Sequence, residues 1–265
     1  MDNIEPVVRF VAGLAKISGL VAAISTREGG VSKPPYDSAN MALHVGDDPA
    51  AVLENRYRIC SELGIDAGDL VCAEQVHANR VVRVTEGDRG SGATSADDAL
   101  PVTDGLLTDV RGLPLVVFTA DCVPVFVYEP TRKVVGIAHA GWRGTLFGVA
   151  EALIATMENV FGGDPQSCKV ALGPSAGPCC YEVGDEVVSA FQENGYPEEK
   201  IFSRTGHDKF NLNLWEVNAL QLEKSRVPRD NISCSPQCSV CSSTYFSCRR
   251  DGAVTGRNMS VIMLK

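Results

Sequence analysis

Short apolar runs rich in Val, Ile, Phe and Ala recur along the chain, separated by glycine-bearing or acidic stretches, and a few longer segments repeat their apolar residues at helical spacing. GLVAAISTREGGVS (19–32) predicts a strand handing over to a glycine turn. PAAVLENRYRICSEL (49–63) has helical periodicity, with Val52, Leu53, Tyr57 and Cys60 on one side. LVCAEQVHANRVVRV (70–84) returns to strand composition, and the polar GDRGSGATSADDALPVTD (87–104) predicts a surface loop. The strongest helical pattern is GTLFGVAEALIATMENVF (144–161), whose stripe is Phe147, Ala150, Leu153, Ile154, Met157 and Phe161, with Gly162 and Gly163 ending it. Strands and helices alternate irregularly, hairpins included, which predicts a mixed α/β (α+β) fold with mixed β-sheets flanked by helices rather than a doubly wound sheet. No linker, low-complexity tract or repeat divides the chain, so a single domain over residues 1–265 is expected.

One pair of runs places chemistry inside this pattern. LVVFTADCVPVFVY (115–128) and KVVGIAHA (133–140) flank EPTR, and a turn centred between Pro130 and Thr131 sets Cys122 directly opposite His139. Directly opposed residues have Cβ atoms about 4.5–5.5 Å apart on one face, close enough for a thiol and an imidazole to share a metal ion or a proton. Pro124 argues for an edge, a bulge or an early end there, and a slip of one residue would separate the pair.

Composition narrows the classes. With 45% hydrophobic and 22% charged residues the chain can bury a core, and its net charge of −9 argues against a nucleic-acid partner, which would require a basic surface. An anionic substrate must instead meet local arginines. The N-terminal apolar stretch carries Arg9 and Lys16 and follows Asp2 and Glu5, so it lacks the form of a signal peptide, and no membrane span is expected. The ten cysteines are then expected to be reduced thiols in a cytoplasmic protein acting as a monomer or weak homo-oligomer.

Histidine is scarce: His44, His77, His139 and His207 are the whole set. His77 falls where the strand-like AEQVHANRV gives way to a turn. One Cys and two His satisfy a zinc ion that keeps an open fourth position, as a catalytic ion does. The same residues also read as two hydrogen-bonded strand-end histidines and a small buried thiol.

AHAGWRGT (138–145), TADCVPV before it, EQVH upstream, STREGGVS near the start, GPSAGPCCYEVGDEV (173–187), and FSCRRDG followed by TGR resemble the bacterial laccase-domain family. That family was long described as multicopper polyphenol oxidases and is understood as zinc-dependent purine nucleoside phosphorylases. The resemblance implies a fold like that of the putative cysteine hydrolases. It implies one Zn2+ held by His77, Cys122 and His139, with Cys122 and His139 essential to activity, and Arg56 near the nucleoside. The implied partners are purine nucleosides and phosphate. The implied reactions are phosphorolysis of adenosine, inosine, guanosine and methylthioadenosine, and deamination of adenosine.

Those reactions require an anion site and a proton carrier. Arg143 lies where a glycine turn enters a helix, and Arg249 with Arg250 forms a second candidate phosphate clamp. The H-x-E…P-C-x-x-C signature of zinc deaminases is absent, which makes Asp121 the first candidate catalytic acid or base, or else the acceptor that orients His139. Cys248 stands where the family commonly has an aromatic or histidine, which puts the base preference in question. CSPQCSVC (234–241) with Cys248 only faintly resembles a metal knuckle, and Cys179 and Cys180 are expected to be packing residues. A metal-free Cys-His hydrolase or deamidase with Cys122 as nucleophile, and a binding role in peptidoglycan quality, are the other readings. Copper oxidation is excluded because four histidines cannot serve several copper ions.

Overall fold

Thirteen strands and seven α-helices cover the described residues of the computed structural model, 8–206 and 209–265; Asp2, Glu5 and His207 lie outside them. In chain order these are β1 (Val8–Phe10), β2 (Leu20–Ser25), α1 (Pro49–Leu63), β3 (Val81–Arg83), β4 (Gly105–Thr108), β5 (Leu115–Thr119), β6 (Val123–Glu129) and β7 (Val134–Ala140). There follow α2 (Trp142–Leu146), α3 (Val149–Phe161), β8 (Lys169–Leu172), β9 (Glu182–Val183), α4 (Asp185–Glu193), α5 (Glu198–Ile201) and β10 (Phe202–Arg204). The last are β11 (Phe210–Leu212), α6 (Leu214–Lys224), β12 (Ile232–Cys234), α7 (Cys248–Asp251) and β13 (Asn258–Leu264).

Two large sheets organise the molecule, one ordered β1-β2-β13-β5 and antiparallel, the other ordered β12-β8-β6-β7-β4-β3 and mixed; a third, small sheet is β10-β11-β9. Side chains alternate across each strand, and here both faces are covered. Leu115 and Val117 of β5 pack with Phe126 of β6 and Ile137 of β7 between the large sheets. Val116 and Phe118, one residue out of phase, pack with Ile59, Cys60 and Leu63 of α1. Val125 and Val127 of β6 turn the other way, onto Leu153, Ile154 and Met157 of α3. The result is helix, sheet, sheet, helix, which explains why the strand sequences read as continuous apolar runs with no polar alternation. Among the described residues no helix is long and apolar enough to cross a membrane.

Three sequence expectations change. The 144–161 helix is two helices, because Gly148 takes φ 78° between α2 and α3; Phe147 at the break is exposed rather than part of the stripe. Helix α1 buries Val52, Asn55, Arg56, Ile59, Cys60 and Leu63, whereas Tyr57 faces solvent. Its inward polar residues are fully used: Asn55 Nδ2 donates to Ser32 Oγ and to the Ser38 and Asn40 carbonyls, so the helix pins the preceding loop. Finally, the β6–β7 hairpin pairs Pro124 with His139 and ends at Val123 with Ala140, so Cys122 is not opposite His139. The turn has four residues, Pro130–Lys133, held by the Glu129 carboxylate, which accepts from the N–H groups of Thr131 (3.1 Å) and Arg132 (2.6 Å).

Candidate active site

The register differs by two residues, which keeps parity, and the chain just before β6 still delivers Cys122 to the end of β7 where His139 lies. His77 arrives from a separate loop. Only isolated bridges at Val71 and Ala73 carry strand character before it, and its backbone takes φ 61°, a left-handed conformation uncommon for a side chain of this size. The ligand atoms of His77, Cys122 and His139 all lie within 4.8 Å of one another, and the two imidazole rings meet edge to face with centroids 4.7 Å apart. One thiol and two imidazoles facing a cavity fit a metal ion with an open coordination position.

Asp104 builds this arrangement. It stands at the end of the polar loop, immediately before β4, and its side chain is fully buried. One oxygen, Oδ1, accepts from His77 N (3.0 Å) and contacts His139 Nδ1 (2.9 Å); the other accepts from Ala78 N (2.8 Å) and Val76 N (3.2 Å). A single carboxylate thus fixes the loop of one histidine and the ring of the other, leaving His139 Nε2 for the cluster. Burial would raise the Asp104 pKa, but the His139 bond and the backbone N–H groups outweigh it and hold the carboxyl below its usual value. Burial would likewise lower His139, yet the Cys122 sulfur and Asp104 carry it up to about 9. His77 is held below the ordinary imidazole value, first by burial and then by His139.

Asp121 therefore does not orient His139. Its Oδ1 accepts from Ser239 Oγ (2.6 Å) and its Oδ2 from Arg249 N (2.7 Å), and it takes φ 92°. It lines the cavity while bracing the wall formed by the 239–250 segment.

The cavity is about 610 Å³, and besides the cluster it is lined by His44, Phe118, Trp142, Tyr181, Cys248, Arg249 and Arg257. Arg249 lies over the Tyr181 ring at 5.1 Å. Arg250, by contrast, spends its guanidinium on the Ser239 (2.7 Å), Ser242 (2.6 Å) and Tyr245 (2.8 Å) carbonyls and on Asp251, away from the lining. Arg143 is exposed and stacks on Trp142 at 4.2 Å, outside the lining residues. Arg56 is buried at 2% exposure beneath an adjoining cavity of about 490 Å³ that shares His44, Gln75 and Phe118. Its guanidinium lies 4.9 Å from the Phe118 ring centroid and donates to the Met41 (2.8 Å), Gly92 (2.8 Å) and Ala93 (2.7 Å) carbonyls.

His44 and Arg257 in the cavity, and Asp104 behind it, are the groups that sequence reasoning passed over. Arg257 belongs to the TGR motif and His44 to the scarce histidines, so both had a signal; Asp104 had none. His44 is kept below its usual pKa, chiefly by burial and then by Arg257 and Arg56, so its ring stays neutral among cations.

Gly141 is a further constraint. A Cβ there would sit 2.5 Å from His77 Nδ1 and 3.0 Å from Cys122 Sγ, while its φ of −73° suits any residue. Gly141→Ala should therefore fold normally and displace two of the three cluster residues. Activity loss on the order of 100-fold is expected from ångström-scale misplacement, checked by bound metal and turnover beside an unchanged thermal melt.

The family model described as multi-copper polyphenol oxidoreductase laccase matches residues 21–265. Purine nucleoside phosphorylase YlmD of Geobacillus stearothermophilus is 41% identical over 94% of this chain and 92% of its own length. Adenosine deaminase RL5, from an unknown prokaryotic organism, is 36% identical over 92% of this chain and 94% of its own. The crystal structure of Bacillus licheniformis hypothetical protein YfiH superposes with a TM-score of 0.94 at 39% identity, covering 99% of this chain and 98% of that one. By sequence and by fold, the chain belongs to the multi-copper polyphenol oxidoreductase laccase family.

Proposed function

We propose that this protein is a zinc-dependent purine nucleoside phosphorylase that also deaminates adenosine. The observation that carries the reading is the convergence of His77, Cys122 and His139 in a cavity that also presents Arg249 and Arg257. The names of its relatives support both activities.

Phosphorolysis breaks the C1′–N9 bond of the nucleoside and forms a C1′–O bond to phosphate, so it requires an anion site, stabilisation of a cationic ribosyl transition state and a proton for the departing purine. Arg249 and Arg257 supply charge for phosphate. Phe118, Trp142 and Tyr181 supply flat apolar faces for a purine, with neutral His44 beside them. Asp104 holds His139 in one tautomer, and Asp121 holds Arg249 at the cavity wall. Zinc, when bound by His77, Cys122 and His139, supplies Lewis acidity at one wall of the cavity. In deamination, water replaces the C6 amino group, which leaves as ammonia.

The test is incubation of metal-analysed protein with adenosine, with and without phosphate. Adenine release should depend on phosphate and yield ribose 1-phosphate, while inosine forms without phosphate. Free ribose produced equally well in phosphate-free buffer would overturn the phosphorylase reading.

A second reading has its own observation in support. Asp104 contacts His139 Nδ1 at 2.9 Å and the Cys122 sulfur lies within 4.8 Å of the His139 ring, the order of carboxylate, imidazole and thiol that activates a cysteine nucleophile with no metal required.

A further inference from the structure

Far along the chain from the histidine cluster, four thiols converge. Cys179 and Cys180 come from the loop between β8 and β9, Cys238 and Cys241 from the loop between β12 and α7, and their sulfurs all lie within 4.8 Å of one another. No second metal site is expected from CSPQCSVC, and the fold instead joins Cys238 and Cys241 to Cys179 and Cys180, with Cys179 exposed rather than packed. Two of the four, Cys179 and Cys241, are exposed, so burial of apolar surface does not explain the cluster.

The distances favour a shared centre over sulfur pairs. Cys241 Sγ is 3.1 Å from Cys180 Sγ and 3.5 Å from Cys179 Sγ, and one sulfur cannot form two disulfides. A Cys179–Cys180 disulfide is disfavoured because adjacent Cα atoms are about 3.8 Å apart, short of the usual disulfide span. A tetrahedral ion with metal–sulfur bonds of about 2.3 Å requires sulfur–sulfur edges of roughly 3.8 Å, in the range of this cluster. The loop around Cys238 is also built for a thiolate. Its sulfur accepts from the Gly177 N–H (3.3 Å), an N–H···S bond of the kind that steadies a metal-bound thiolate.

We propose that Cys179, Cys180, Cys238 and Cys241 form a second, structural metal site that binds zinc as four thiolates, releasing their protons to solvent on binding. The two loops it ties are already stitched by backbone bonds, Ser175 N to the Gln237 carbonyl (3.3 Å) and Ser239 N to the Ser175 carbonyl (2.9 Å). The residues beside the thiols reach the catalytic cavity: Tyr181 follows Cys180 and lines it, and Ser239 follows Cys238 and donates to Asp121. The ion therefore clamps the cavity wall from behind.

Zinc counting on the full chain, purified under reductant, separates this site from the catalytic one. Wild type should carry two zinc ions per chain, the Cys238→Ser/Cys241→Ser double variant one, and His77→Gly one. A single wild-type zinc that His77→Gly loses and the double variant keeps would overturn the proposal and leave the catalytic reading intact; the reverse pattern would sustain the proposal and remove catalytic zinc. A second measurement does not depend on the variants folding. In zinc-loaded wild type, Cys179 and Cys241 should resist alkylation despite their exposure and react once a chelator strips the metal. Immediate alkylation in the zinc-loaded protein, or a disulfide among the four, would overturn it.

Discussion

Protein lacking the His77 imidazole is expected to retain on the order of a tenth or less of the wild-type metal at the histidine cluster, and to lose activity with it. The variant must be chosen with the backbone in mind. His77 sits at φ 61°, where alanine would keep the left-handed strain that any Cβ brings once the ligand is gone, whereas His77→Gly removes the ligand and suits the conformation. The loop should survive, because its N–H bonds to Asp104 are made by backbone. The zinc scheme requires the third ligand; the Asp104–His139–Cys122 relay does not. Metal analysis, adenosine phosphorolysis and reversible inactivation of wild type by a chelator decide the matter. Full activity in His77→Gly, or in metal-free wild type, would sink the zinc scheme.

Asp104→Asn should lose both stability and metal affinity, although it is close to isosteric. Four donors converge on the carboxylate, two on each oxygen, and an amide has only one acceptor oxygen. Turned one way, the NH2 group meets the Val76 and Ala78 N–H groups; turned the other, it meets the His77 N–H and forces His139 Nδ1 to become an acceptor, taking the metal-binding tautomer away. At ~1–3 kcal/mol for each unsatisfied buried donor, this is a severe loss for one atom changed. Metal affinity should fall about 10–100-fold, because His139 loses its orientation.

The Cys122 sulfur and, after it, this carboxylate give a pH signature in metal-free protein. His139 is raised from 6.5 to about 9 in the fold, so its stabilising contribution is complete below 6.5 and is lost as pH rises through about 9. Metal must displace that proton, so wild-type metal affinity should rise across the same window. In Asp104→Asn both dependences should flatten. Denaturant unfolding and metal titration between these pH values check this, and unchanged slopes would mean that Asp104 does not set the His139 proton.

What the sequence disclosed follows from which interactions are local. Valine-rich strands and the composition of the 123–140 hairpin were legible, because buried strands select β-branched residues wherever they occur. The register was not, since it depends on the Glu129 side chain holding a four-residue turn, a detail invisible to periodicity. Gly148 was read through for a related reason: a glycine within a helical pattern costs only about 1 kcal/mol, so pattern alone does not reveal a break. Cys122, His139 and His77 were found because histidine is scarce and the surrounding motifs are long. Asp104 escaped as one of several acids in a polar loop; only the folded chain shows that its four partners come from two other segments. Likewise the cysteine cluster joins adjacent thiols to a pair about sixty residues away, a distance at which spacing rules carry no information.

The left-handed backbone at His77 also bears on how fast an ion is captured. A ligand on a floppy loop must be ordered when metal arrives, and that ordering subtracts from affinity and slows association. Here three backbone N–H bonds to one buried carboxylate hold the loop in its uncommon conformation before any ion binds. The imidazole waits in place, so capture should be limited by ion dehydration and by departure of the His139 proton rather than by rearrangement of the chain.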